Sequence, residues 1–159
     1  MKIRRFGPED GDQVTACIVE LQNYERAIDA RVLPGEAVEG WYLDYLLDAC
    51  ARQDGALLVA EADGRVVGFA AVQCKVANED VDEGDYAFAL ISDLGVNPSH
   101  RGRGIGRALI AACEDLARAR GARWLRIGVL GRNAVARGLY ERCGFEDRQV
   151  VLEKTLAAK

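Results

Sequence analysis

With 159 residues, half of them apolar and 29% charged, the chain suits one folded domain, residues 1–159, and excludes a disordered or low-complexity polymer. A net charge of −4 argues against a general nucleic-acid-binding surface. No apolar run approaches the roughly 20 residues that span a bilayer, so no membrane partner is expected.

Met1–Phe6 carries charge without a following apolar stretch of signal-peptide length, so a cytoplasmic location is expected. Cys17, Cys50, Cys74, Cys113 and Cys143 are scattered with no CxxC pair, and His100 is the only histidine. That pattern predicts free thiols and no metal site. Charge is unevenly placed. Residues 78–85 are acidic and 100–107 basic, which suits a cationic ligand near the first and an anionic one at the second.

Taken in order, Lys2–Phe6 reads as a strand, and a helix follows from Pro8 to about Tyr24 with Val14, Cys17, Ile18 and Leu21 on one face. Pro34-Gly35 is a turn, and Trp41, Tyr45, Leu46 and Ala49 recur at helical spacing within a helix over 36–51. Ala56–Ala62 and Arg65–Val76 form a hairpin about Asp63-Gly64. Tyr86–Val96 is a long strand, and residues 104–120 are a helix burying Ile105, Leu109, Cys113 and Leu116. Trp124–Leu130 is a strand, Ala134–Cys143 a helix capped by Gly144, and Gln149–Lys154 a last strand. The order β-α-α-β-β-β-α-β-α-β predicts an α/β fold with one central mixed sheet and helices on both faces.

The strongest local signal is Arg101-Gly102-Arg103-Gly104-Ile105-Gly106-Arg107, opening an apolar helix after a strand. Glycines let backbone amides approach a ligand, and the first amides of a helix lack internal partners at the positive end of its dipole. Together they suit a pyrophosphate. A P-loop needs Lys and Ser or Thr, which are absent. The dinucleotide fingerprint needs a third glycine where Arg107 stands.

Leu94-Gly95-Val96-Asn97-Pro98-Ser99-His100-Arg101-Gly102-Arg103-Gly104-Ile105-Gly106 resembles the cofactor motif Q/R-x-x-G-x-G/A of the Gcn5-related N-acetyltransferase (GNAT) family. Residues 133–145 match that family's N-x-x-A-x-x-L-Y-x-x-x-G-F at every fixed position. The resemblance implies a GNAT-like, mostly antiparallel mixed sheet and transfer of an acetyl group from acetyl-CoA to a primary amine by direct attack in a ternary complex. It implies no metal.

The strand before the loop would splay from its neighbour after a bulge and pair the cofactor arm with the Leu94-Gly95-Val96 backbone. Asp93 and Leu94 would flank the acetyl group, and an amide near Leu94 would polarise its carbonyl. The amides of Gly102, Arg103, Gly104, Ile105, Gly106 and Arg107 would hold the pyrophosphate, with Arg101 beside them. Asn133 would bond the cofactor arm, and Tyr140 would face the departing sulfur as general acid.

The family's two usual glutamate positions are Gly128 and Ser92 here. The base is therefore Asp93, a water held by Ser92, or an acid of the first helices such as Glu25 or Asp29. Glu25, Asp29 and the loop 78–85 fit a cationic acceptor, or are solvated loop charge. Tyr42, with Trp41 and Tyr45, lines the acceptor pocket or packs in the core. A homodimer is compatible with this pattern. The alternative to an enzyme is an acyl-CoA sensor or scaffold of the same fold.

Overall fold

The computed structural model describes residues 1–156. Its elements are β1 (Lys2–Arg5), α1 (Gly11–Ile28), α2 (Gly35–Val38), α3 (Tyr42–Arg52), β2 (Ala56–Ala62), β3 (Arg65–Ala77), β4 (Ala87–Val96), α4 (Ile105–Ala119), β5 (Leu125–Ile127) and α5 (Ala134–Arg142). A 3₁₀ turn at Pro8–Asp10 leads into α1. The Asp63-Gly64 hairpin forms as expected, with φ of 51° and 73°, the doubly left-handed geometry that matches strand twist.

Two expectations are corrected. The single helix over 36–51 is broken into α2 and α3 at Glu39–Trp41. Gly40 is a poor helix former, and Trp41 takes φ −145°, ψ −22°, turning the chain before α3. The last strand, Gln149–Lys154, does not form, and residues 145–156 join no sheet. Val150-Val151-Leu152 is an unbroken apolar run rather than an alternating one, so neither face of a strand there would be polar. The segment lies across an open cleft from β5 and is tied by ion pairs, Arg137 to Asp147 at 3.1 Å, Arg31 to Glu153 at 2.7 Å, and Arg148 to Glu83.

The five strands lie in the order β1-β2-β3-β4-β5, antiparallel throughout except for the parallel pair β4 and β5. Helices cover both faces. On one, Ile105, Leu109, Ile110 and Cys113 of α4 pack on Ala70, Val72 and Ile91. On the other, Val14, Cys17 and Ile18 of α1 and Leu46 and Cys50 of α3 pack around Val59 and Phe69. Four of the five cysteines are buried as free thiols. Burying a Leu- or Phe-sized side chain contributes ~1.5–3 kcal/mol, so these two clusters supply most of the drive for folding.

Candidate active site

Two irregularities of β4 create the site. β5 pairs with β4 only at Ala89–Leu125, Leu90–Arg126 and Ile91–Ile127. Beyond Ile91, β4 continues to Val96 with β3 on one side and, among the described residues, no strand on the other. In the β3–β4 register Val72 faces Ile91 while the adjacent Ala71 faces Asp93, so Ser92 is an extra residue, a β-bulge. Were Ser92 paired as a regular residue, without the bulge, Asp93 would share the face of Ile91, which packs against α4. With it Asp93 turns to the α1–α3 face, and Tyr42 Oη donates to Asp93 Oδ1 at 3.1 Å. Gly95 then points at Phe69, where a Cβ would come within 2.7 Å of the ring.

The loop after β4 is shaped by left-handed glycines. Gly102 and Gly104 have φ of 75° and 79°, and a Cβ on either would meet nothing within 4 Å, leaving an open backbone cradle. Ala108 N donates to Gly104 O at 3.0 Å, so the amides of Ile105, Gly106 and Arg107 precede the first turn's bonding and lack helical acceptors. Arg103 and Arg107 are exposed beside them. Open amides at the positive end of a fifteen-residue helix fit a pyrophosphate, and the unpaired edge of β4 from Ser92 to Val96 fits an extended amide-bearing arm. Arg101 behaves differently from its neighbours. Its Nε donates to Val96 O at 3.0 Å, and its guanidinium lies 4.8 Å from the centre of the Tyr24 ring.

The 133–145 segment is built to hold Tyr140. Asn133, 6% exposed, caps α5 by accepting from Ala136 N at 3.1 Å. Tyr24 Oη reaches the same oxygen at 3.5 Å. Leu139 fills the space over Gly106, where a Cβ would lie 2.9 Å from its Cδ2, so the two motifs meet at this contact. At the other end Gly144 has φ of 87°, Gly144 N donates to Glu141 O, and Phe145 N donates to Tyr140 O, both at 3.0 Å. This is a Schellman cap, and its apolar contact is Phe145 against Tyr140, with ring centres 5.9 Å apart.

Glu25, Tyr42, Asp93 and Tyr140 come together electrostatically. Burial pushes the Asp93 carboxyl above the usual range, against the hydrogen bonds from Ser92 and Tyr42 that favour its charge. Burial, then the neighbouring Asp93 charge, raises Glu25. Burial, then Glu25 and Asp93, pushes the Tyr140 hydroxyl up to about 12. Burial and Asp93 likewise raise Tyr42. With both carboxyls partly desolvated and the Asp93 charge acting on Glu25, the site disfavours two negative charges at once.

Asp29 is drawn elsewhere. Arg31 bonds both its oxygens, at 2.6 Å and 3.0 Å, and holds its carboxyl well below the usual range. Tyr24, which ties α1 to both Asn133 and Arg101, is not marked by spacing or motif. Among the described residues no group of three or more His, Cys, Asp or Glu side chains could hold a metal ion. No described helix is long and apolar enough to cross a membrane.

A sheet parted after a bulge, with a glycine-opened helix at the gap, is an architecture that receives an extended phosphate-bearing ligand. The acetyltransferase (GNAT) family model matches residues 21–145, and the chain belongs to that family. An uncharacterised N-acetyltransferase of Methanocaldococcus jannaschii is 37% identical over 112 residues, 70% of this chain and 46% of that protein. Streptothricin acetyltransferase of Streptomyces lavendulae is 43% identical over 84 residues, 53% of this chain and 40% of that protein. The chain thus spans less than half the length of these relatives. The solved structure of AAC(6')-Iy with a bisubstrate analogue of coenzyme A superposes with a TM-score of 0.69 at 20% identity, covering 98% of each chain. That likeness is one of fold.

Proposed function

We propose that the chain is an acetyl-CoA-dependent N-acetyltransferase whose acceptor is a primary amine on a cationic small molecule or peptide, acetylated by direct attack in a ternary complex. The observation that carries this reading is the Ser92 bulge, which turns Asp93 onto Tyr42, where its charge is felt by Glu25 and Tyr140. Acetyl-CoA would supply an activated acetyl group on a thiol leaving group. The amides of Gly102 to Arg107 would hold its pyrophosphate, and the Leu94–Val96 backbone would pair with its arm. For that pairing Arg101 would release the Val96 carbonyl.

The chain's own part is to bind the amine and manage protons. An alkyl ammonium near pKa ~10.4 must lose a proton before its nitrogen can attack. A carboxylate held above its usual range is a better acceptor for that proton than an ordinary one, and Asp93 is so held. Glu25 beside it keeps negative charge in the pocket whichever of the two takes the proton. Tyr140, at about 12, keeps its proton well past neutral pH. A thiol near ~8.5 is the stronger acid by about three to four units. Tyr140 therefore acts as a hydrogen-bond donor to the departing sulfur more than as an acid that gives its proton away. The name streptothricin acetyltransferase, borne by a relative over 84 aligned residues, supports an acetyl-accepting small molecule as substrate.

The deciding experiment is thiol release from acetyl-CoA over a panel of monoamines, diamines, aminoglycosides and peptides. Release with cationic amines is the expected result. Tight acetyl-CoA binding with no release on any acceptor would favour the sensor reading instead.

A further inference from the structure

The break between α2 and α3 exposes more aromatic surface than packing explains. Trp41 and Tyr45 are 49% and 51% exposed, so they do not serve the core. They form one cluster with Tyr42, with ring centres 5.3 Å, 6.2 Å and 5.6 Å apart. Trp41 is fixed in place, because its Nε1 donates to Ala37 O at 2.9 Å. Tyr42 joins the cluster to the site through its hydrogen bond to Asp93.

The stretch that bears the rings carries one sign of charge. Residues 32–51 hold Glu36, Glu39, Asp44 and Asp48 and no Lys or Arg. Asp48 is paired with Arg52, the first residue beyond that stretch, at 2.8 Å. Glu25 and Asp93 add two carboxylates on the inner side. Exposed rings alone would suit any apolar group. Rings in a negative field suit a weakly hydrated cation, which is drawn both to the ring faces and to the field.

We propose that Trp41, Tyr42 and Tyr45 form a second subsite of the acceptor pocket, binding an alkylammonium group of the acceptor other than the amine that reacts. The inference rests on the reading of the site as one that acetylates a cationic amine, and it narrows the substrate class to di- and polyamines. One nitrogen sits at Asp93 and Glu25 and a second on the aromatic cluster.

The chain has two tryptophans, and Trp124 packs against Tyr86 beside β5, away from this face. In a Trp124→Phe variant the indole signal therefore comes from Trp41. Hexamethonium, which carries two quaternary ammonium groups and no acetylatable nitrogen, is titrated while that fluorescence is read. A saturable change, displaced by 1,6-diaminohexane, is expected. In a second arm the kcat/KM ratio of 1,6-diaminohexane to n-hexylamine is measured. It should fall roughly 3–10-fold in Trp41→Leu and in Tyr45→Leu, mostly through KM, with partial recovery in Trp41→Phe.

An unchanged ratio in both leucine variants overturns the subsite, as does a Trp41 signal indifferent to hexamethonium. Equal response to n-hexanol overturns it in favour of an apolar ligand. A chain that binds hexamethonium at Trp41 but acetylates neither amine would refute the transferase reading and leave the subsite standing.

Discussion

Asp93 and Glu25 set the pH at which the pocket can take a proton. Both are held above the usual carboxylate range, so kcat/KM should rise as pH climbs through that raised range, and Asp93→Asn should lower it and flatten the rise. A pH profile of thiol release checks this. Stability runs the other way, since what these groups contribute is fully present below their unfolded pKa near ~4 and is lost as pH rises through the folded values. Tyr140→Phe should lower kcat about 10–100-fold, the worth of one hydrogen bond to a charged partner. Acetyl-CoA affinity by calorimetry should stay within about threefold, and equal turnover would remove Tyr140 from the chemistry. Tyr140 and Asp93 could be singled out in the sequence because a motif numbers them. Which face Asp93 takes could not, because that depends on the β3–β4 register, and the pairing of Asp29 with Arg31 is a side-chain choice that spacing does not encode.

At the scale of elements, the glycines of the loop differ in what they do. Gly104 ends the loop in the left-handed region over open space, whereas Gly106 lets α4 close on Leu139 of α5. Gly104→Asp should therefore weaken acetyl-CoA binding at least about tenfold, by placing an anion at the positive helix end and straining the backbone. Circular dichroism should stay that of the parent. Undiminished affinity would dissociate the loop from the pyrophosphate. The helices and the hairpin could be read from apolar period, caps and the Asp63-Gly64 turn. The break at Gly40 was hidden because the residues that mark helical spacing, Trp41, Tyr45, Leu46 and Ala49, all lie after it and say nothing of the turn before them, and Trp41 and Tyr45 are half exposed. The missing last strand was hidden because an apolar run reads the same whether or not an edge is there to receive it.

Across the whole molecule, β1, the 3₁₀ turn and β2 are joined by one charged knot. Arg4 donates to both oxygens of Asp10, at 2.7 Å and 2.8 Å, and to Glu61 at 2.7 Å, while Gly7 N donates to Asp10 at 2.8 Å. Asp10 is 2% exposed, and the Arg4 hydrogen bonds hold its carboxyl below the usual range. Asp10→Ala should cost about 2 kcal/mol in urea unfolding at pH 7 by leaving these donors unmet. Because the Asp10 pKa is depressed, its contribution is present above ~3.9 and fades as pH falls through the folded value, so parent and variant should converge in acid. The Ser92 bulge acts at this same scale. A strand is a binary counter, assigning residues alternately to the two sides of the sheet, and one surplus residue inverts the count for everything after it. If β4 paired regularly with Ser92 in the ladder, the Asp93 carboxylate would pass through the sheet to the α4 side, among Ile91, Leu109 and Cys113, whereas loss of the Ser92 codon would leave Asp93 opposite Ala71 on its present side. For this fold, the side of the sheet that carries the chemistry is a matter of odd or even count along β4, and the one surplus residue sets it.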